Sequence, residues 1–468
     1  MTAIRLLDNL WAQLDGPPED IERLLRFRPK GYQFAPSYKA KHWDGYISLV
    51  RHRQGETFFP VGLFPHVLAQ PWAERYAVTD QRQRPEPHAG LYADTPHIKL
   101  DAHQIEAVEV AIRAERGVIQ YPTGTGKSVI LGETIRRLDV PTLVLCDKRD
   151  LMRQLAKEVA RSVGQSVGMI GDGMWVVADC TVSTYQTLYR RLNAKDEAVV
   201  EAAEWSLEHF QAVIADEGHH AEARTFAEVL QHLPNAYYRL AFSATPFRSW
   251  SGRSTDRGTF LRVQAWTGPP IATLSISSGI ESGRIVPPDI FIVHGCTWPG
   301  VAPNFKTEYQ LGIVENDARN QHIVNLARRL QFSGPTVVLV DRIEHGRWLS
   351  DELHAPFLHG GLSSDVRTRT YERFRRDELS LLIVSKIADE GLDLPNIQHL
   401  ILAGGGRAAH RQIQRIGRGM RATSEKKSVL VFDYEDYGRY LAGHYRKRRR
   451  TYEAEAAFTV IDIDKEEI

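Results

Sequence analysis

The chain has 468 residues, 43% hydrophobic and 25% charged, with a formal net charge of +1. That length predicts two or three domains, each able to bury a core, and the near-zero charge excludes a globally basic protein, so any nucleic-acid surface must be a local patch. Three cysteines without CxxC spacing exclude a zinc ribbon or disulfide framework and point to a reducing cytoplasm.

No apolar run reaches the roughly 18 residues of a membrane span, and the opening MTAIRLLDNLWAQLDG lacks the apolar core of a cleavable leader. Residues 1–90 read as a small α+β domain. Between Arg23 and Arg53 the basic residues Arg23, Arg26, Arg28, Lys30, Lys39, Lys41, Arg51 and Arg53 face one acid, Asp44, with aromatics interleaved. Basic side chains can neutralise phosphates while aromatics stack on exposed bases, although in so small a domain most of the aromatics are expected to form the core. Lys39, Lys41 and Arg51 are the candidate DNA contacts. TDQRQRPEPHAGLYADTPH then reads as a linker.

From about residue 98 short, nearly continuous apolar runs alternate with amphipathic segments: GVIQY, PTLVLCD, WVVADCTVST, FQAVIAD and YRLAFSAT. Such runs suit strands buried on both faces of a parallel sheet. Residues 250–288 read as loop, and a second series follows: DIFIVH, PTVVLVD, APFLHG, LSLLIVS, IQHLILA and SVLVFDY. The pattern predicts an α/β protein with two doubly wound parallel-sheet domains in tandem, 91–284 and 285–468. The basic run in HYRKRRRTYEAEAAF is either a solvated helix face or a DNA contact.

GVIQYPTGTGKSVILGETI follows a strand and opens a helix, as a phosphate-binding loop must. In the loop Thr123-Gly124-Thr125-Gly126, the glycines let backbone N–H groups turn towards phosphate oxygens. Lys127 would reach the β/γ-phosphates of a nucleotide and Ser128 would hold Mg²⁺, with the helix N-terminus adding positive charge. The usual first glycine of GxxxxGK[ST] is Tyr121 here. Asp216 and Glu217 end another strand, where open α/β sheets bind ligands. Asp216 would face the same Mg²⁺ through water, and Glu217 would activate the attacking water. A zinc site at Asp216-Glu217-Gly218-His219-His220 is disfavoured, because adjacent residues leaving a strand point in different directions. His220 has no role beyond packing or a local hydrogen bond.

The order of these motifs resembles superfamily-two helicases, most closely the XPB/UvsW-like group, over roughly residues 98–435; WDGYISLVRHRQGETFFPVGLFPHV is similar to the N-terminal domain of UvsW-like phage helicases. The resemblance implies two RecA-like domains, with ATP and Mg²⁺ as cofactors. It makes Gln104 in KLDAHQIEAV the adenine-reading glutamine, with Asp101 where an arginine is usual. Arg149 in TLVLCDKRDLMRQL and Thr184 in VSTYQTL would meet DNA phosphates. His219 of the DEGH box and Ser243-Ala244-Thr245 would couple the nucleotide site to DNA movement. In VSKIADEGLDLP, Glu390 and Gly391 would lie near the interdomain cleft and Asp393 near the ribose. In QRIGRGMR, Gln414 would lie near the γ-phosphate, with Arg418 and Arg421 as arginine fingers.

What this implies is a monomeric, ATP-dependent DNA helicase or translocase. Its substrates would be single-stranded and branched DNA (forks, junctions, D-loops, R-loops), with RNA admitted in hybrids. A duplex translocase or reannealing motor of a restriction, defence or remodelling complex shares the motifs. A nucleic-acid-binding scaffold with an inactive NTP site is disfavoured by intact Lys127, Asp216, Glu217, Arg418 and Arg421.

Overall fold

A computed structural model describes residues 2–29, 31–92, 99–218, 224–243, 254–296, 298, 300–385, 396–405 and 428–468. The chain divides into two compact units, 1–121 with 126–273, and 274–468 with 122–125.

The first unit opens with strands β1 (Ala3–Leu6), β2 (Trp11–Asp15), β3 (Arg26–Phe27), β4 (Ile47–Ser48), β5 (Arg51–Arg53), β6 (Glu56–Pro60) and β7 (Ala77–Asp80). Five of them form a sheet ordered β5-β6-β2-β1-β7, and β3 pairs with β4. Alternation sets the buried face: Ile4, Leu6, Ala12 and Leu14 point inward and their neighbours stay partly exposed. This small sheet is not self-contained. Leu14, Phe59 and Leu63 belong to the same buried cluster as Leu143, Phe226 and Leu261 of the next layer. Gly62 lies so close to the helix Ser254–Thr267 that a Cβ there would overlap the carbonyl oxygen of Gln264.

The second sheet holds β8 (Arg116–Gln120), β9 (Thr142–Cys146), β10 (Gly168–Gly171), β11 (Met174–Val176), β12 (Cys180–Thr184), β13 (Ala212–Ala215), β14 (Tyr238–Ser243) and β15 (Pro270–Thr273). Its order is β11-β10-β12-β9-β13-β14-β8-β15, parallel throughout except for the edge strand β11. Every residue of β8, β9, β12, β13 and β14 is buried, which is why these runs read as continuously apolar.

In the second unit, β16 (Pro288–His294), β17 (Thr336–Val340), β18 (Phe357–Leu358), β19 (Leu381–Ser385), β20 (His399–Leu402), β21 (Val429–Tyr434) and β22 (Thr459–Asp464) form a wholly parallel sheet. Its order is β18-β19-β17-β20-β21-β16-β22.

Several expectations change. Residues 250–288 are not simply loop: they include the helix Ser254–Thr267, β15 and the helix Ile276–Glu281. The expected linker is pinned down, since Arg84 Nε donates to the Tyr238 hydroxyl at 3.1 Å and the buried Tyr92 hydroxyl donates to Val140 O at 2.8 Å. In the basic C-terminal run, Arg448 is fully buried. It pairs with Asp433 at 2.8 Å and Asp436 at 2.9 Å, and Arg449 pairs with Asp462 at 2.6 Å. At these two positions the run clamps β21 and β22 rather than offering charge to solvent. Among the described residues no helix is long and apolar enough to cross a membrane.

Because the atoms facing Gly62 are backbone and cannot swing aside, Gly62→Ala should lower the thermal unfolding midpoint by about 5 °C. Gly443→Ala, whose new methyl meets open space within the helix Leu441–Glu453, should leave the midpoint level or raise it. Calorimetry of the two variants checks both directions.

Candidate nucleotide site

Three strand ends make the site. β14 lies between β8 and β13, so the loop after β8, the residue closing β14 and the carboxylates after β13 leave the sheet side by side. Tyr121 N donates to Ser243 O at 3.0 Å, and Asp216 N donates to Leu145 O at 2.8 Å. The sheet register itself thus holds the phosphate loop, Ser243 and Asp216 on neighbouring strands.

The loop turns through Gly124 and Gly126, both left-handed (φ 92° and 83°), before the helix Lys127–Leu138 begins. A side chain at Gly126 would be strained by its backbone and would also strike Gln104 Nε2. Thr125 Oγ1 donates to Pro122 O at 2.8 Å, while Thr123 and Ser128 are half-buried. Lys127 Nζ donates to Tyr121 O at 3.1 Å. Gln104 is buried in the first turn of the helix Ala102–Ala114, and its Oε1 accepts from Asp101 N at 3.1 Å in a capping box. Asp101, standing where an arginine is usual in the resembling family, is therefore the N-cap of the helix that carries Gln104.

Asp216 and Glu217 crowd each other. Desolvation and the neighbouring Glu217 carboxylate push the Asp216 carboxyl well above the ordinary range, while Lys127 pulls the other way. Glu217 adopts a left-handed backbone (φ 53°), a conformation costing a side-chain-bearing residue about 1 kcal/mol. Its N–H donates to Asp216 Oδ1 at 3.0 Å. Gly218 packs on β14: a Cβ there would come 2.6 Å from Ala241 Cβ. This donor set fits a hydrated divalent cation with a polyphosphate, because it sets close carboxylates, whose repulsion a cation relieves, beside a glycine cradle and a lysine.

Of the expected DNA contacts, Arg149 opens the helix Arg149–Val163 and is exposed, 3.9 Å from Asp172. Thr184 is buried, its hydroxyl 2.9 Å from that of Thr187 at the start of the helix Tyr185–Leu192. Lys39 and Lys41 are exposed and line a groove of about 570 Å³ with Gln33, Tyr38, His42 and Trp43. Arg51 stacks over Trp11, 4.5 Å from the ring centroid, and donates to Gln231 Oε1 at 3.1 Å. Burial and the nearby Arg53 lower its pKa. Tyr46 is no free base platform, since Arg26 and Arg28 lie 4.5 and 4.6 Å from its centroid; Phe34 is 70% exposed. His219, Ala244, Thr245, Glu390, Gly391, Asp393, Gln414, Arg418 and Arg421 lie outside the described residues.

Sequence reading missed the tie between Tyr121 and the Gln104 helix. The Tyr121 hydroxyl, its pKa pushed up to about 12 by burial, donates to His103 O at 3.0 Å. A tyrosine in a glycine's place was the available signal.

Residues 97–248 match the family model for the type III restriction enzyme res subunit, and residues 318–423 match the helicase conserved C-terminal domain. A candidate DNA 3'-5' helicase, Rad25, of Halobacterium salinarum is 29% identical over 367 residues, covering 76% of this chain and 57% of its own length. The ATP-dependent DNA helicase uvsW of Enterobacteria phage T4 is 20% identical, covering 89% and 86%. The chain spans little more than half of the first two archaeal Rad25 relatives, 57% and 52%. Among solved structures, S. cerevisiae Dbp5 bound to RNA and ADP BeF3 superposes with a TM-score of 0.57 at 16% identity, covering 79% of this chain and 91% of that one. Two RecA-like domains with a phosphate loop and a DEGH box define the class: the chain is similar to the superfamily-two helicases in both of its matched segments. Within that superfamily its relatives include proteins named XPB and uvsW helicases, consistent with the XPB/UvsW-like group.

Because Gly218 rests on Ala241, Gly218→Ala should displace the Asp216-Glu217 pair and cut nucleotide turnover by at least tenfold, order of magnitude. Gly218→Ala combined with Ala241→Gly should recover much of it. A steady-state phosphate-release assay on both variants reads the outcome.

Proposed function

We propose that this chain is a Mg²⁺- and ATP-dependent DNA helicase or translocase that remodels branched DNA, moving 3′ to 5′. The observation that carries the reading is the convergence of the loop holding Lys127 and Ser128, the β14 terminus at Ser243 and the Asp216-Glu217 pair at three adjacent strand ends. Relatives named DNA 3'-5' helicases or translocases support it. Residues 1–90 then act as a DNA-binding module, 91–284 as the ATP-binding domain and 285–468 as the second helicase domain.

Bound Mg²⁺–ATP supplies the phosphoryl group whose transfer to water drives the motor. Backbone N–H groups at Gly124 and Gly126 and the ammonium of Lys127 hold phosphate oxygens, and Thr123 and Thr125 complete the cradle. Ser128 Oγ and, through water, Asp216 hold the cation. Glu217 orients the attacking water and accepts its proton. Gln104 reads the base, and by the family resemblance Glu390 and Gly391 would serve at the interdomain cleft and Asp393 at the ribose. By the family resemblance, Gln414 would serve near the γ-phosphoryl and the guanidinium groups of Arg418 and Arg421 would bring charge to it, so hydrolysis would require both domains. His219 and Ser243-Ala244-Thr245 relay this to the DNA side. There, Arg149, Lys39, Lys41 and Arg51 meet backbone phosphates of single-stranded or branched DNA, RNA entering only in hybrids, while the buried Thr184 hydroxyl is committed to Thr187. We read the chain as a cytoplasmic monomer. A second reading, a duplex translocase without net unwinding, is favoured by the relative from Sulfurisphaera tokodaii named a DNA 3'-5' translocase, which is 23% identical over 81% of its length.

Lys127→Ala should abolish DNA-stimulated ATP hydrolysis, and Glu217→Gln should bind ATP and DNA yet turn over at least 100-fold more slowly. Retained turnover in Lys127→Ala would sink the assignment. A strand-displacement assay on forked DNA separates helicase from translocase. Lys39→Ala with Lys41→Ala should weaken binding to a four-way junction and lower the salt slope of log Kd by about 2. An unchanged slope removes the groove from the DNA path.

A further inference from the structure

We infer that Tyr121 is a positioning residue that makes nucleotide selection depend on the base, by locking the base-reading helix onto the phosphate loop. The inference rests on the reading of this site as an NTP hydrolase and adds to it the link between base and phosphate recognition.

Tyr121 ends the strand-to-loop transition where the phosphate-loop pattern normally has glycine, and it is buried. Its two ends touch different parts of the site. The hydroxyl donates to the carbonyl of His103, the residue before Gln104, at 3.0 Å, and the rings of Tyr121 and His103 lie 5.9 Å apart. At its other end, the Tyr121 carbonyl accepts from Lys127 Nζ at 3.1 Å, and its N–H is held by Ser243 O at 3.0 Å. One residue is thus anchored to the sheet, to the phosphate-binding lysine and to the first turn of the helix carrying the base reader. The far side of that helix turn closes the circuit, because the Gln104 amide lies against Gly126.

A glycine at 121 would remove the hydroxyl tie between the loop and the first turn of this helix, leaving the helix placed by its buried Ala107, Val108 and Ala111 and by the Gln104 amide against Gly126. With tyrosine there, a base that draws Gln104 into its productive position acts on a helix already tied to the lysine, so correct pairing costs less ordering. A base that leaves Gln104 displaced strains the same tie. Specificity then takes the form of a difference between nucleotides rather than a uniform gain in affinity.

The experiment measures kcat and KM for ATP and GTP in wild type, Tyr121→Phe, Gln104→Ala and the double variant, with thermal midpoints as a check of folding. Tyr121→Phe keeps the ring and the backbone contacts and removes one hydrogen bond. It should lower the ATP-over-GTP ratio of kcat/KM by roughly five- to tenfold. The loss should fall mainly on KM for ATP, leaving kcat at saturating ATP within about twofold of wild type. The double variant should discriminate no less than Gln104→Ala alone, because both changes break one linkage. A ratio unchanged in Tyr121→Phe, or losses that multiply in the double variant, would overturn the inference. If Tyr121→Phe melts early, the comparison of Gln104→Ala with the double variant at a temperature where both are folded still decides. A wild type that hydrolyses ATP and GTP equally refutes the base link but leaves the hydrolase reading standing; a wild type that hydrolyses neither refutes the hydrolase reading itself.

Discussion

The structure of the candidate site depends on the register of one buried parallel sheet. With β14 inserted between β8 and β13, the chain sets the end of β8 at Gln120 beside the ends of β13 at Ala215 and β14 at Ser243, much further along the sequence. Backbone hydrogen bonds set that register, and a fully buried ladder cannot slip by one residue without turning apolar side chains against the wrong layer. The phosphate loop, Ser243 and the carboxylate pair inherit their spacing from it, before any side chain is considered.

Around this frame, close packing does what flexible contacts could not. Gly126 and Gly218 each sit where a side chain would strike a neighbour, Gln104 in one case and Ala241 in the other. The site is therefore held at van der Waals distance on two sides, and the left-handed Glu217 is the strained residue between them. Strain of that kind persists only where the surroundings over-determine it, and here Gly218 and the Asp216 carboxylate oxygen that accepts the Glu217 N–H pin both flanks. Electrostatics acts in the opposite sense. Asp216 and Glu217 repel, and Lys127 offsets part of that repulsion, leaving a site whose charge is best balanced by a cation.

The N-terminal module illustrates how charge and aromatic content can mislead when read without packing. Its interleaved arginines and tyrosines look like a base-stacking surface, yet Arg26 and Arg28 both lie on Tyr46, and Arg51 lies on Trp11. Cation–π pairing occupies the faces of Tyr46 and Trp11, while Arg51, Arg53, the lysine groove and Phe34 stay open to solvent. The C-terminal basic run is a parallel case: a buried Arg448 pairing with two aspartates reads, in one dimension, like a solvated arginine.

Sequence alone determined the features that local chemistry dictates. Buried parallel strands demand continuous apolar runs, so β8, β9, β13, β14, β17, β19, β20 and β21 were legible. A phosphate loop demands glycines and a lysine in the turn after a strand, so Gly124, Gly126 and Lys127 were legible too. The edge strands β15 and β22, partly exposed and short of apolar residues, carry no such demand and were not read. Only tertiary structure could decide that Gly218 rests on Ala241, that Tyr121 reaches the helix of Gln104 and that Arg448 is interior. Each of those facts joins residues distant in the chain, and a one-dimensional pattern holds no information about which atoms the register of a sheet will bring within contact.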